Sequence, residues 1–190
     1  MSVSRFYANI TLHGPAPAAV VAYLNARGAV AYVSPAAKAA TVVYHQDLST
    51  QEDLAVGLSA HFGCPALLAM CYDDTILLYH LYANGEQIDA YVSSPHDDLD
   101  AGGRPAPEGD AAALAAAFGM EHRTANVERV LRRPTDPTRG YALAVNRHGE
   151  LARALGLPLF AAGAGFRDVE MGELPAGPGF DPAGLVRTGR

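Results

Sequence analysis

The first 94 residues alternate between apolar and polar positions in a way that predicts strands. In residues 6–13 the even-numbered positions are apolar and most odd-numbered ones are polar, which is the period-two pattern of a strand with one buried face. Runs of β-branched and aromatic residues predict five further strands. These are residues 29–33, 41–45, 66–72, 75–82 and 87–93.

Two helices are predicted between these strands. Pro15 or Pro17 can occupy the first turn of one helix, where a missing N–H has no cost, and Gly28 is placed to end it. Ser49 and Glu52 have the spacing of a capping box, and an apolar stripe with a period of four residues follows them. That combination predicts the second helix.

The predicted elements follow the order strand, helix, strand, strand, helix, strand. This order predicts an α+β fold that starts as a ferredoxin-like βαββαβ unit, with two helices on one face of an antiparallel sheet. Asn84-Gly85 is a strong hairpin signal, so the last two predicted strands extend that sheet. Asp73-Asp74 suits the turn that precedes them.

The second half of the chain is predicted to be mainly helical. Residues 95–109 are rich in Asp, Gly and Pro and are interpreted as an exposed loop. Asp110 is a plausible cap for one helix and Thr124 for another. Residues 141–157 are either one helix or a short strand that enters a helix.

These patterns predict one α+β domain over residues 1–174. Its sheet-rich half is residues 1–94 and its helix-rich half is residues 110–174, where residues 166–174 are interpreted as a last strand. Residues 175–190 contain few apolar residues and are predicted to form a mobile tail.

Composition narrows the class of protein. The 190 residues are 49% hydrophobic and 18% charged, which is typical of a globular domain and not of a disordered chain. The abundance of Ala, Gly and Pro suggests a GC-rich bacterial genome.

Residues 1–12 lack a signal-peptide pattern and no apolar run is long enough to span a membrane, so a cytoplasmic location is expected. Cys64 and Cys71 match no zinc pattern and are interpreted as core residues.

The net charge of −6 disfavours nucleic acid as a partner, because that affinity comes largely from Lys and Arg. Arg129, Arg132 and Arg133 form one local basic patch. Cations near the end of a helix are favoured by the helix dipole, so this patch is interpreted as a solvated helix end.

Two blocks of sequence resemble a family of small bacterial α+β proteins with no assigned activity. The first block holds Cys64-Pro65-Ala66, the acidic turn Asp73-Asp74 and a tyrosine-rich strand that ends in Asn84-Gly85. The second is residues 147–158, from Arg147-His148 to Leu157-Pro158. The resemblance implies a shared fold and gives no residue a role.

No standard catalytic or cofactor motif is present: the chain has no Walker A loop, no Gly-x-Ser-x-Gly and no His-Glu-x-x-His. No cofactor is therefore predicted. Several carboxylates and one imidazole could in principle hold a divalent cation, although Asp-rich loops are more often simple turns. These candidates are Asp73, Asp74, His96, Asp97, Asp98 and Asp100.

Other candidate binding residues lie on predicted strands. His80 could act as a general base if a carboxylate lay opposite it, although a structural histidine is the commoner case. Tyr7, Asn9 and His13 on the first strand, with His45 on the third, could form an open sheet face. RNA-recognition modules use such a face, but only Tyr7 suits base stacking here and basic residues are missing.

Three functional hypotheses follow from these observations. The leading one is a non-catalytic interaction or regulatory protein whose partner is another protein or a second copy of the chain. A second is a small enzyme or a ligand- or cation-binding protein that uses His80 with nearby carboxylates. A third is a self-associating structural protein. The charge disfavours the remaining alternative, a sheet face that binds single-stranded RNA.

Overall fold

The chain forms a seven-stranded antiparallel sheet that is covered by helices on both faces. The computed structural model describes residues 6–93, 106–173, 178 and 180–189. The strands are β1 (Tyr7–His13), β2 (Ala31–Val33), β3 (Ala40–His45), β4 (Ala66–Tyr72), β5 (Ile76–Ala83), β6 (Glu86–Val92) and β7 (Val186–Arg187). The α-helices are α1 (Pro17–Ala26), α2 (Gln51–Phe62), α3 (Ala111–Ala117), α4 (Thr124–Arg132), α5 (Ala144–Ala154) and α6 (Phe166–Glu170).

The sheet has the strand order β6-β5-β4-β1-β3-β2-β7. Its middle four strands have the order β4-β1-β3-β2. The predicted βαββαβ unit requires this order, because each helix connects two strands that are separated in the sheet by one other strand. β1 is central: Ile10 pairs with Val43 of β3 on one side and with Leu68 of β4 on the other. The predicted α+β class with a helical second half is confirmed.

One face of the sheet packs against α1 and α2. The even-numbered residues of β1, among them Ile10 and Leu12, lie in one buried cluster with Leu24 of α1 and Leu58 of α2. Because alternate residues of a strand point to opposite faces, these two helices cover a single face of the sheet, as the sequence predicts.

The other face packs against the C-terminal helices. Tyr79, Leu81 and Tyr91 lie in a buried cluster with residues of α3, α4 and α5, such as Leu131 and Leu151. Further along the sheet, β3 packs against a 3₁₀ turn at Leu159–Ala161 and against α6. The sheet is therefore the middle layer of three, and its central strands are buried on both faces.

The two predicted hairpin turns are present. Asp73 and Asp74 have φ of 48° and 60°, and Asn84 and Gly85 have φ of 52° and 83°. Positive φ at both central residues is the type I′ geometry that matches the twist of paired strands. β4, β5 and β6 are consequently joined by tight turns that extend the βαββαβ sheet.

Two helix starts differ from the prediction. Ser49 does not cap α2: it lies in a 3₁₀ turn, Leu48–Thr50, whose cap is Asp47, which accepts hydrogen bonds from the Ser49 amide and hydroxyl. Thr124 is the first residue of α4 and not its cap, since its hydroxyl donates to the Glu121 carbonyl. Asp110 does cap α3, as predicted, by accepting from two amides.

The end of the chain also differs from the prediction. Within residues 166–174 the predicted strand is wrong, because Phe166–Glu170 is the helix α6. Within residues 141–157 the structure has one helix, α5, and no strand. Residues 186–187 of the predicted tail form β7, which pairs with β2 at the edge of the sheet.

Cys64 and Cys71 are both buried and neither forms a disulfide, which agrees with their interpretation as core residues. In the part of the chain that the structure describes, no helix has the length and apolar content needed to cross a membrane.

Candidate functional site

The predicted open face on β1 is wrong, because the C-terminal half covers it. Tyr7 is 3% exposed and Asn9 is 1% exposed. The Asn9 side-chain amide donates to the carbonyl oxygens of Ala161 and Ala164 at 2.7 and 2.9 Å. The polar side of β1 therefore binds backbone of the same chain, and His13 packs edge-on against Phe118 at the end of the strand.

A second group of buried polar side chains anchors α5. The Tyr7 hydroxyl lies 2.9 Å from Nδ1 of His148, which is 2% exposed. Arg147 donates to the Tyr91 hydroxyl at 2.9 Å and to the Val130 carbonyl at 2.8 Å. Since these groups satisfy one another inside the core, Arg147 and His148 have a structural explanation.

The acidic turn does not converge on His80. The Asp74 carbonyl accepts from the Ala144 amide at 2.6 Å and so fixes the start of α5. His80 lies further along β5, opposite Leu68, and its Nδ1 is 3.3 Å from a Glu52 carboxylate oxygen. The carboxylate that faces His80 thus comes from α2.

His80 is held between β5 and α2. Its Nδ1 also lies 3.2 Å from the Tyr82 hydroxyl. Burial lowers the pKa of His80, and the Glu52 carboxylate partly offsets that effect. General-base chemistry at His80 stays a prediction.

Four candidate ligands of the predicted cation site lie outside the described residues. They are His96, Asp97, Asp98 and Asp100. Among the residues that are described, no group of three or more His, Cys, Asp or Glu side chains is arranged to hold a metal ion.

A cavity lies elsewhere, between α1, the start of α2 and the adjoining ends of β2 and β3. This cavity, here named the His45 cleft, has a volume of about 610 Å³, within the usual range of about 300 to 1,000 Å³ for small-molecule sites. Its lining residues are Tyr23, Arg27, Gly28, Ala29, Val30, His45, Gln46, Asp47, Thr50, Asp53, Leu54 and Gly57.

Local backbone features shape the His45 cleft. Gly28 has φ of 64° and turns the chain from α1 into the approach to β2, a conformation that glycine adopts without strain. The Gln46 amide donates to the Val30 carbonyl at 3.0 Å and joins two strand ends. At Gly57 a Cβ atom would lie 2.6 Å from the Tyr23 hydroxyl, so glycine there makes room for the tyrosine that lines the cleft.

His45 is the most informative residue of the cleft. It is 6% exposed, and among the residues that the structure describes its Nδ1 has no hydrogen-bond partner. Burial lowers its pKa, and a hydrogen bond with the Asp47 backbone and the Asp47 charge oppose that effect. A buried polar atom without a partner costs about 1–3 kcal/mol, and few native groups are left in that state.

Gln51 shows the same feature next to the cleft wall. It is the first residue of α2 and is 1% exposed, and both polar atoms of its amide lack a partner within the described residues. It follows Thr50, which lines the cleft. Two neighbouring segments thus carry buried polar groups with unused hydrogen-bonding capacity.

The cleft also carries opposite charges. The Arg27 guanidinium lies 3.6 Å from the centroid of the Tyr23 ring, a cation–π contact that restricts its position. Asp53 lies in the first turn of α2. Asp47 accepts from Ser49 twice, and these hydrogen bonds lower the pKa of its carboxyl. The lining therefore combines a guanidinium group, two carboxylates and an imidazole.

Only part of this site is predicted from the sequence. His45 is a predicted binding residue, but as part of an open sheet face. Arg27, Gln51 and Asp53 are not predicted, because the packing of α1 and α2 on the sheet brings the residues of this cleft together and they share no local motif.

No protein-family model matches the chain, and no curated protein or solved structure shows significant similarity to it.

Proposed function

We propose that the protein is a non-catalytic regulatory protein that binds a small zwitterionic molecule in the His45 cleft. The observation that carries this proposal is the buried His45, which lines a cavity of about 610 Å³ and whose Nδ1 has no hydrogen-bond partner among the described residues. A ligand that hydrogen-bonds to this nitrogen removes the cost of leaving it unpaired.

The charges of the cleft define the class of ligand. Arg27, held against Tyr23, suits a carboxylate, because the guanidinium group can donate two parallel hydrogen bonds to it. Asp53 suits an ammonium group in the same cavity. A molecule of amino-acid type carries both groups, and a cavity of this size also accommodates a side chain.

The first experiment is a binding screen with the common L-amino acids, measured by thermal shift and then by isothermal titration calorimetry. Each ligand is compared with the carboxylic acid that lacks its amino group and with the amine that lacks its carboxylate. We expect at least one amino acid to bind and both of its analogues to bind at least tenfold more weakly. Equal binding of an analogue would contradict the zwitterion assignment.

Arg27→Gln tests the anion-binding side of the cleft. We expect a loss of affinity of tenfold or more, because hydrogen bonds to charged groups contribute about 1.5–3 kcal/mol. Arg167→Gln is the matched control, since Arg167 is an exposed residue of α6. If the two variants lose the same affinity, the cleft is not the binding site.

His45→Phe separates function from stability. Phenylalanine keeps an aromatic ring and removes the unpaired nitrogen, so we expect weaker ligand binding together with an unchanged or raised free energy of unfolding without ligand. Urea unfolding and calorimetry measure the two quantities. His122→Ala, at an exposed position outside the cleft, should alter neither. A purely structural His45 would instead give a clear loss of stability.

A further inference from the structure

A second candidate surface is formed by α4 and α5, which cover the opposite face of the sheet from α1 and α2. Two grooves of about 380 and 410 Å³ lie there. Both are lined by Glu150 and Arg153, so they adjoin each other. This combined surface is here named the arginine groove.

Four arginines line the arginine groove: Arg123, Arg129, Arg133 and Arg153. The ion pairs found among the described residues involve other cations, namely His80, Arg132 and Arg139. Glu150, the carboxylate within the groove, accepts a hydrogen bond from the Tyr141 hydroxyl at 2.5 Å. Four positive charges thus lie close together without a carboxylate partner in the described part of the chain.

Within the described residues, the contacts of these arginines leave most of their donors unused. Arg129 donates to the Asn126 side chain at 3.1 Å, and Arg123 donates to the Arg153 carbonyl at 3.1 Å. The Arg133 guanidinium lies over the Tyr141 ring, 4.9 Å from its centroid. Since each guanidinium has five N–H donors in a fixed fork, the groove can bind several carboxylates.

We propose that the arginine groove docks a short acidic segment of a partner protein. The net charge of the whole chain is −6, and without these four arginines it would be −10. The positive charge of the groove is therefore complementary to an anionic segment of a partner. Bidentate arginine–carboxylate pairs are among the stronger hydrogen bonds in proteins. Charge complementarity of this kind also raises the rate of association.

Nucleic acid fits this surface less well than an acidic peptide. The Tyr141 ring is in contact with two guanidinium groups, those of Arg133 at 4.9 Å and Arg147 at 4.6 Å, so it is not free to stack on a base. A polynucleotide that extended beyond the groove would also meet the net negative charge of the rest of the chain. A short acidic segment avoids that repulsion.

The docking proposal goes beyond the ligand proposal and is independent of it. The arginine groove and the His45 cleft share no lining residue. Loss of one binding activity through a local substitution should therefore leave the other intact, and the failure of either proposal can be recognised separately.

The test uses the full chain and a fluorescently labelled deca-glutamate peptide at low salt, with fluorescence anisotropy as the readout. A deca-glutamine peptide is the uncharged control, and a labelled single-stranded oligonucleotide of ten nucleotides is the rival anion. We expect the acidic peptide to bind, with affinity that falls as salt rises. Tighter binding of the oligonucleotide would overturn the proposal in favour of nucleic acid, and no binding of either anion would overturn it altogether.

The double variant Arg129→Gln/Arg153→Gln locates the interaction. Both residues are exposed, so the fold is expected to be retained, as circular dichroism can verify. We expect peptide affinity to fall at least tenfold. Arg167→Gln/Arg187→Gln removes the same charge at exposed positions outside the groove and should change the affinity less than twofold. Equal losses in the two double variants would show a general charge effect and overturn the proposed site.

Discussion

Two buried histidines differ in what surrounds their ring nitrogens. Burial lowers the pKa of both His45 and His148. The Nδ1 atom of His148 lies 2.9 Å from the Tyr7 hydroxyl, whereas that of His45 has no partner in the part of the chain that the structure describes. A satisfied buried group stabilises one arrangement of the core. His148 is therefore explained by the fold, while the unsatisfied His45 at a cavity is the residue on which the ligand proposal rests.

His148 gives a prediction for the pH dependence of stability. Burial lowers its pKa to about 4, below the ordinary value of about 6.5. The unfolded chain then takes up a proton that the folded chain excludes, so stability is full above pH 6.5 and is lost as the pH falls toward 4. From this residue we expect a loss of about 2 kcal/mol between pH 7 and pH 5, measured by urea unfolding.

The variant His148→Gln isolates that contribution. It removes the titrating group, and its amide can still hydrogen-bond to the Tyr7 hydroxyl, so the variant should be less stable at pH 7 but less sensitive to acid. His122→Ala, at an exposed position, is the control and should keep the wild-type pH profile. An unchanged profile in His148→Gln would show that other groups cause the acid sensitivity.

At the scale of single elements, the hairpin between β5 and β6 is fixed by contact with α2. A Cβ atom on Gly85 would lie 2.9 Å from Cβ of Ala60 in α2, and Gly85 has φ of 83°. Gly119, after α3, has φ of 66° and nothing within 4 Å of the same position. The two glycines therefore share a left-handed backbone and differ in the space around them.

Gly85→Ala should consequently destabilise the protein more than Gly119→Ala. The left-handed conformation alone costs roughly 1 kcal/mol when alanine replaces glycine, and overpacking against a helix adds about 1–3 kcal/mol at Gly85. Denaturant unfolding of both variants measures the difference. Equal free energies of unfolding would mean that the hairpin moves away from α2 without cost.

The elements that the sequence predicts well are those with local causes. Period-two alternation and the turns at Asp73-Asp74 and Asn84-Gly85 are properties of adjacent residues, so the six strands and their order are predictable. α6 is not, because five residues are too few to separate a helical period from a strand. The Ser49 and Glu52 motif is misleading, since the nearby Asp47 side chain accepts from Ser49 instead.

The candidate site is less predictable than the fold. His45 and Arg27 lie 18 positions apart in the sequence, and no spacing rule connects the end of α1 with the end of β3. The arginines of α4 could be noticed as a basic patch, but Arg153 of α5 joins them only through helix packing. Sites of this kind depend on contacts between elements, which a single sequence does not specify.

At the scale of the whole molecule, the two covered faces of the sheet explain where binding can occur. The odd-numbered face carries Tyr7, Tyr79 and Tyr91, each 3% exposed or less, and the C-terminal helices bury it. A ligand can therefore contact the rim of the sheet and the outer surfaces of the helices, whereas the sheet surface itself is covered. The His45 cleft is at the rim, and the arginine groove is on the outside of α4 and α5.

The last residues of the chain support the rim next to the cleft. Thr188 is 1% exposed, its hydroxyl donates to the Ala29 carbonyl at 2.8 Å, and it accepts from the Ala31 amide at 3.0 Å. Ala29 also lines the His45 cleft. Pairing of β7 with β2 therefore connects the end of the chain to the wall of the proposed ligand site.

Thr188→Val should destabilise the contact between residue 188 and the wall of the cleft. Valine has the same shape but leaves the Ala31 amide and the Ala29 carbonyl without the hydroxyl, so we expect a loss of about 1–3 kcal/mol and faster hydrogen exchange at the Ala31 amide. Val186→Thr, at a position that is 42% exposed, is the matched control and should change neither quantity. If exchange at Ala31 is unaltered in Thr188→Val, the Thr188 hydroxyl does not protect the Ala31 amide. If exchange rises and amino-acid binding weakens as well, the C-terminal strand contributes to the ligand site as well as to the fold.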